Sequence, residues 1–564
     1  MLNQCRIQNA ECRIGQRQNN AENKMQNSRF FNSFDSSKSF NSFFSFHSFT
    51  NMKSFRKIAV ALAVLVAVMA SAKDAPKREF RGAWLHIIGQ GQYAKMTPQQ
   101  TQDYLRDQLN KLDQAGVNAV IWQVRPQADA AYISDLEPWS RWLTGEAGKA
   151  PDPVWDPLQF MIDECHSRGM ELHAWINPYR VTSGEKDQPA SGHIYYEHPE
   201  WFLKYADGKI YFDPALPESR DFINLVVRDM ITRYDLDAIH MDDYFYPYPV
   251  KGAEFPDTAS FEKYGKGWGD KGDWRRHNVD LLIEQLHNTI QSTKPWVRFG
   301  ISPFGIWRNK KSDRNGSETN GLECYDALYA DCPKWTAMGW VDYMVPQLYW
   351  ELEHKAASDL VLSYWWNDHA NGRHMYYGQA VRNVMDHHDI PDTLNPTQLN
   401  HKIELMRTLP NVHGVTWWPG YSVTENYKGV LDSLSNHQMR SKALCPAVTW
   451  IDDVPPPAVT NLCFDKKKDV TVLSWDAPVT TDPMQEAVKY VVYEFQGSYD
   501  FDIDMNDPWA IVKVTNQTSV TLPNPLGLKQ SKKSKHKPTG TIYIVTALDR
   551  CNNESAPCAS EIVY

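Results

Sequence analysis

The stretch DAIHMDDYFYPYP, from Asp237 to Pro249, sets two aspartates side by side at the end of a short apolar run and follows them with aromatics and prolines. Adjacent carboxylates resist joint ionisation, and an aromatic cleft raises the pKa of a carboxylate it encloses. One member then stays protonated near neutral pH while the other stays charged, the division of labour that cleavage of a glycosidic bond requires. Within DAIHMDD a period of two puts Ile239 and Met241 on one face and Ala238, His240 and Asp242 on the other. Asp242 therefore points into whatever the strand helps to enclose. Asp243 leans over the same place only if the strand stops there and the chain turns. His240-x-Asp242 with Asp243 is also a conceivable divalent-metal set. No second ligand cluster of recognisable spacing accompanies it, so the expectation is of no metal and no cofactor.

Eight apolar runs, each ending in polar or aromatic residues and each followed by an amphipathic stretch, supply the frame: GAWLHI from Gly82, NAVIWQVRP from Asn118, ELHAWINPYR from Glu171, DAIHMDDYF from Asp237, RFGISPFG from Arg298, DYMVPQLYWE from Asp342, MYYGQAVR from Met375 and GVTWWPGYS from Gly414. The stretches between them carry helix signals, such as Thr-Pro ahead of a run that ends at Gly116 and Asp-Pro ahead of one that ends at Gly169. Eight strand–helix alternations predict an α/β fold, a (β/α)8 TIM barrel over residues 78–445, with catalytic groups where the strands end. The polar residues at those ends are His86, Gln123, Arg125, His173, Asn177, Arg180, His240, Asp242, Gln347, Tyr349, Glu351 and Gln379. Long insertions, about 128–151 and 182–220, are expected to wall a cleft, the second through a hairpin turning at Asp207-Gly208.

From residue 446 to 564 the pattern changes to period-two runs separated by turn residues, which predicts a small all-β sandwich. It resembles a fibronectin type III domain in Trp475, in Tyr490 and Tyr493, and in YIVTALDRCNNES; the basic run KQSKKSKHK from Lys529 falls in one of its loops. At the other end, residues 1–51 are a low-complexity leader. Residues 52–72 read as a signal peptide starting at Met52, with a basic n-region, an apolar stretch and Ala70-Ser71-Ala72 as cleavage site. That apolar stretch is shorter than the ~20 residues of a membrane span, so no transmembrane anchor is expected after cleavage. The mature chain would then be secreted or periplasmic. It keeps 50 basic and 65 acidic residues, a net charge of −15, which argues against nucleic acid as a partner. Its seven cysteines show no zinc-type CxxC pair; Cys551 and Cys558 are either a bridge or two separate thiols.

REFRGAWLHI, WINPYR, DAIHMDDYFYP and PQLYW together resemble the glycosyl-hydrolase-like family 10 of secreted bacterial proteins, across nearly the whole barrel. The resemblance implies a (β/α)8 glycosidase acting on envelope glycans, with a glycan as its partner. Two further likenesses guide the chemistry. DAIHMD is similar to the fourth-strand motif of retaining α-glycosidases, in which Asp242 would be the nucleophile, although His240 stands where those families have Arg or Lys. That mechanism needs a separate acid, and Glu351 is the candidate, on a strand face shared with Gln347 and Tyr349. The adjacent pair also resembles enzymes that cut N-acetylhexosamine linkages by substrate assistance, in which Asp242 would orient the acetamide and Asp243 protonate the leaving oxygen. His86, Gln123, Arg125, His173, Asn177, His240 and Gln347 are expected to hold sugar hydroxyls or tune the carboxylates. Trp84, Trp175, Tyr244, Tyr349 and Trp350 are expected to line the sugar-binding surface. Two other classes stay open: a non-catalytic glycan-binding protein and a metal-dependent carbohydrate deacetylase.

Overall fold

The computed structural model describes residues 75–387, 390–391, 395–497, 502–524 and 540–563. The leader and signal peptide read at 1–72, and the basic run from Lys529, lie outside the described residues.

All eight apolar runs become parallel strands: β1 Phe80–Leu85, β2 Ala119–Arg125, β3 Glu171–Ile176, β4 Ala238–Met241, β5 Arg298–Ile301, β6 Tyr343–Met344, β7 His374–Ala380 and β8 Val412–Trp418. They close into a barrel in which each strand pairs with its sequence neighbours and β1 pairs with β8. Alternation along the strands sorts the side chains. Ile239 and Met241 join the large core under the helices, whereas Ala238 joins Phe80, Trp84, Ile121, Trp175, Tyr343 and Tyr376 inside the barrel. Room for that interior is made by Gly300, where a Cβ would stand 1.9 Å from the Tyr343 ring.

The helices begin where the sequence signals them. In α1, Pro98–Gln114, the Thr97 side chain accepts from the Gln100 N–H while the Gln100 side chain reaches back to the Thr97 N–H, a reciprocal cap. In α2, Pro157–Ser167, the Asp156 carboxylate accepts from two backbone N–H groups of the first turn. The second insertion holds the expected hairpin, Phe202–Lys204 paired with Ile210–Phe212. Gly208 adopts φ +79° at its turn, where a side chain would strike Glu185.

Beyond Pro446 the chain forms two small antiparallel sheets. One has three strands, β9 Thr460–Lys466, β10 Val470–Asp476 and β13 Ser519–Pro523. The other has four, β11 Lys489–Gly497, β12 Ile511–Thr515, β14 Gly540–Leu548 and β15 Cys558–Ala559. Leu473, Trp475 and Leu522 of the first meet Tyr490, Val492, Tyr543 and Val545 of the second in one core. Cys551 is a free thiol and forms no bridge with Cys558; Cys165, Cys324, Cys332 and Cys445 are free thiols too.

This β region is seated on the N-terminal end of the barrel. Lys489 and Asn552 reach Glu171 at the start of β3 (3.4 and 2.9 Å), and the Trp450 indole N–H donates to Asp342 just ahead of β6 (2.8 Å). The opposite, C-terminal end stays open.

Candidate active site

At the open end lies a cavity of about 380 Å³ walled by Trp84, Trp175, Trp418, Tyr244 and Tyr349, with Asp242 and Asp243 facing it. Strand β4 ends at Met241, and the chain turns at Asp243, so both carboxylates overlook one space. Each is about 3 % exposed, and their surroundings differ. Asp242 accepts the indole N–H of Trp175 (3.0 Å) and the side-chain amide of Asn177 (2.9 Å), both from the end of β3. Burial raises its pKa; the Arg180 guanidinium and these two donors pull back against that rise. Asp243 accepts the Tyr248 hydroxyl and meets the Gln347 amide. Burial, and then the charge of Asp242, still push it up to about 6. The pair is thus set unequally: Asp243 is the carboxyl that keeps its proton to higher pH.

The remaining residues fall into three positions. Trp84, His86, Gln123, Trp175, Tyr244, Gln347 and Tyr349 line the cavity together with the aspartates. Gln123 spends its carbonyl on the N–H groups of Ile87 and Ile88 (3.2 and 3.1 Å), which leaves its buried side-chain N–H₂ without a partner among the described residues. The Gln90 amide nitrogen lies 2.6 Å from His86 Nε2, so that nitrogen accepts and Nδ1 carries the proton, again with no partner among the described residues. Burial lowers the His86 pKa to about 4, so the ring is neutral. These donors are unpaired groups that a hydroxyl- or carbonyl-bearing ligand would satisfy.

Asn177 and His240 lie outside the lining. Asn177 fixes Asp242 and accepts the Arg180 backbone N–H (2.8 Å). His240 sits directly beneath, its Nε2 accepting from Trp84 (3.2 Å) and near Ser302 Oγ (3.2 Å), its Nδ1 against the Tyr343 hydroxyl (3.1 Å). Burial, with His173 below, holds it well under the usual histidine range. With both ring nitrogens engaged it supports the floor and offers no ligand to a metal. Among the described residues no group of three or more His, Cys, Asp or Glu side chains is placed to hold one.

Four expected site residues stand elsewhere. His173 faces inward but one layer too deep, bonded to Glu171 (3.1 Å) and to the Tyr343 hydroxyl (2.7 Å). Arg125 is fully buried behind the wall, gripping Glu137 with two nitrogens and capping the Asn177 and Pro178 carbonyls. The β2–β3 register shifts between Gln123 and Arg125, pairing Arg125 with the outward-facing Ile176. Glu351 and Trp350 line a separate cavity, and Glu351 pairs with His387 (3.3 Å). Strand β6 covers only Tyr343–Met344, and beyond Pro346 the chain is irregular, so the period of two does not carry to Glu351.

Four other residues complete the cavity or its support. Trp418 and Ser302 continue the inward alternation of β8 and β5, a signal present in GVTWW and RFGIS. Arg180 lies over the Tyr244 ring (5.0 Å) and donates Nε to the Pro126 carbonyl (3.0 Å). Tyr248 comes from irregular chain beyond β4, where no periodicity announces it.

Residues 79–392 match the family model described as glycosyl hydrolase-like 10. The chain is 38 % identical over 504 residues to "Glycosyl hydrolase YngK" of Bacillus subtilis, covering 87 % of this chain and 94 % of the relative. It is 38 % identical over 331 residues to "Glycosyl hydrolase DigH" of Escherichia coli K12, covering 56 % and 74 %. Among solved structures, an alpha-L-fucosidase isoenzyme 2 from Paenibacillus thiaminolyticus aligns with a TM-score of 0.41 at 13 % identity, covering 67 % of this chain and 52 % of that one.

Proposed function

The chain belongs to the glycosyl hydrolase-like 10 family, and from that premise we propose that it is an exported glycoside hydrolase that cuts N-acetylhexosamine-containing glycans such as peptidoglycan strands. The observation that carries the reading is the unequal aspartate pair over an aromatic cavity. Asp243 is the general acid: it protonates the leaving oxygen as the glycosidic bond breaks. Asp242, whose charged form Trp175, Asn177 and Arg180 favour against the rise that burial imposes, accepts the N–H of the substrate's acetamide and aims the acetamide oxygen at the anomeric carbon. A water later opens the resulting ring and restores the acetamide, returning the proton to Asp243. The alternative, with Asp242 as nucleophile, needs a second acid. Glu351, its candidate, lines a different cavity, which favours substrate assistance.

Export rests on the n-region, apolar stretch and cleavage site read at 52–72. The three- and four-stranded sheets with their shared core around Trp475 support a fibronectin type III-like module at 446–564. The test is mass spectrometry of products from peptide-free peptidoglycan strands, chitooligosaccharides and plant or host glycans, run beside Asp242→Asn and Asp243→Asn. The expected result is chain shortening by the parent protein and loss of turnover in both variants. A protein that binds these chains but leaves them intact is a glycan-binding module. Acetate release without shortening, abolished by a chelator, marks a deacetylase.

A further inference from the structure

A second cavity, about 540 Å³, opens beside the catalytic one, and Tyr349 lines both. Burial, with Asp243 acting next, drives the Tyr349 pKa well up, so its phenol is the neutral, proton-bearing divider between the two spaces. The second space is also lined by Trp350, Glu351, His354, Asn383, Asp386 and His387, an aromatic plane surrounded by hydrogen-bonding side chains in which Glu351 pairs with His387 (3.3 Å) and Asp386 with Lys428 (3.1 Å).

The floor of this space is built rigidly. The Trp350 ring is braced edge-on by Phe304 (centroids 5.6 Å apart). The Trp350 carbonyl is taken by the buried Lys402 ammonium, which is also held by Asp359 (2.7 Å) and by the Gln379 carbonyl (2.6 Å). The next carbonyl, of Glu351, accepts the N–H groups of His354 and Asp359 (3.2 and 3.1 Å). A buried lysine whose bonds go to a loop carbonyl fixes that loop before any ligand arrives, which lowers the ordering cost of binding. An aromatic plane suits the apolar face of a pyranose. Carboxylates and an amide at its edge suit hydroxyl donors.

We propose that this cavity is a binding subsite for a second pyranose unit of the same glycan, so that the chain runs across Tyr349 and is cut in its interior. The proposal rests on the glycosidase reading for the cut, but not for the binding. Glu351 is then a contact to sugar hydroxyls and takes no part in proton transfer.

The experiment uses the full chain and chitooligosaccharides from dimer to hexamer. The ratio of kcat/KM for the hexamer to that for the shortest chain cleaved is expected to fall about tenfold or more in both Trp350→Ala and Glu351→Gln. A second measurement, calorimetric binding of the hexamer to Asp243→Asn protein, is expected to lose about tenfold in affinity when Trp350→Ala is added. Asn383→Ala, at an exposed position, repeats the test where the tryptophan change unfolds the protein. Cleavage with an unaltered length ratio overturns the subsite and leaves the glycosidase reading intact. Trp350-dependent binding without cleavage by the parent protein does the reverse. A uniform fall in kcat at every length in Glu351→Gln, with Trp350→Ala unaffected, overturns the proposal by returning Glu351 to the chemistry.

Discussion

At the open end of the barrel Asp242 and Asp243 are buried among neutral hydrogen-bond donors, and at the closed end Glu171 is buried among cations while Asp237, less deeply covered, is paired with a histidine. Glu171 meets Arg298 (2.7 Å), His173 (3.1 Å) and Lys489 (3.4 Å), while Asp237 meets His166 (2.8 Å). Burial raises the pKa of all four. At the closed end the cations override it, holding Glu171 well below the usual range and Asp237 at about 2. At the open end Trp175, Asn177, Tyr248 and Gln347 bring no charge, Arg180 acts only on Asp242, and both groups stay raised. Deep burial with different partners gives Glu171 and the aspartate pair opposite character. One end serves stability and the other keeps a proton within reach of neutral pH.

The contrast breaks most visibly in the chemistry. Replacing Asp243 by Asn is expected to lower kcat by about 10²–10⁴, the share of a positioned general acid, with single-turnover hydrolysis as the measurement. The matched change at the closed end, Glu171→Gln, strands Arg298 and Lys489 without a counter-charge. It is expected to cost about 3–5 kcal/mol in denaturant unfolding. Asp243→Asn should move stability the other way. The Asp243 pKa is higher folded than unfolded, so its contribution is present at low pH and lost as pH rises through about 6. Above that value the variant is expected to be more stable than the parent protein, by up to about 3 kcal/mol at pH 8. Glu171 and Asp237, whose pKa values are depressed, add stability that is complete above the ordinary carboxyl range and drains away as pH falls through it toward their folded values.

The smallest effects sharpen the open end. The rate should rise with pH as Asp242 ionises and fall through about 6 as Asp243 loses its proton. Arg180→Gln removes a cation that favours charged Asp242 and should move the acid limb up by about one pH unit. Tyr248→Phe removes a donor to charged Asp243 and should move the basic limb up by a few tenths of a unit to about one. A downward shift in either would contradict the roles given to these side chains. Both are read from kcat/KM against pH.

Strand direction was legible in the sequence, and depth was not. The eight runs and the inward face of DAIHMDD follow from apolar patterning, which the closed barrel enforces. His173 obeys the same alternation as Trp175 and differs from it only by two residues, a step of roughly 6.6 Å along a strand that separates a floor layer from a rim. Arg125 is hidden by a register shift that no single-strand pattern records. A period of two extended past Pro346 points to Glu351, but the strand has already ended there. Conversely Trp418 and Ser302 could have been read from alternation alone, whereas Tyr248 reaches Asp243 only through the path of an irregular loop.

The seating of the β region by Lys489, Asn552 and Trp450 has a mechanical consequence. A blade on a loose tether samples many angles, while one fixed to its handle cuts only where the handle is aimed. Because the tail grips the blunt end of the cylinder through groups sunk in its base, any surface that captured the tail would leave the mouth facing outward, at a standoff set by the height of the cylinder.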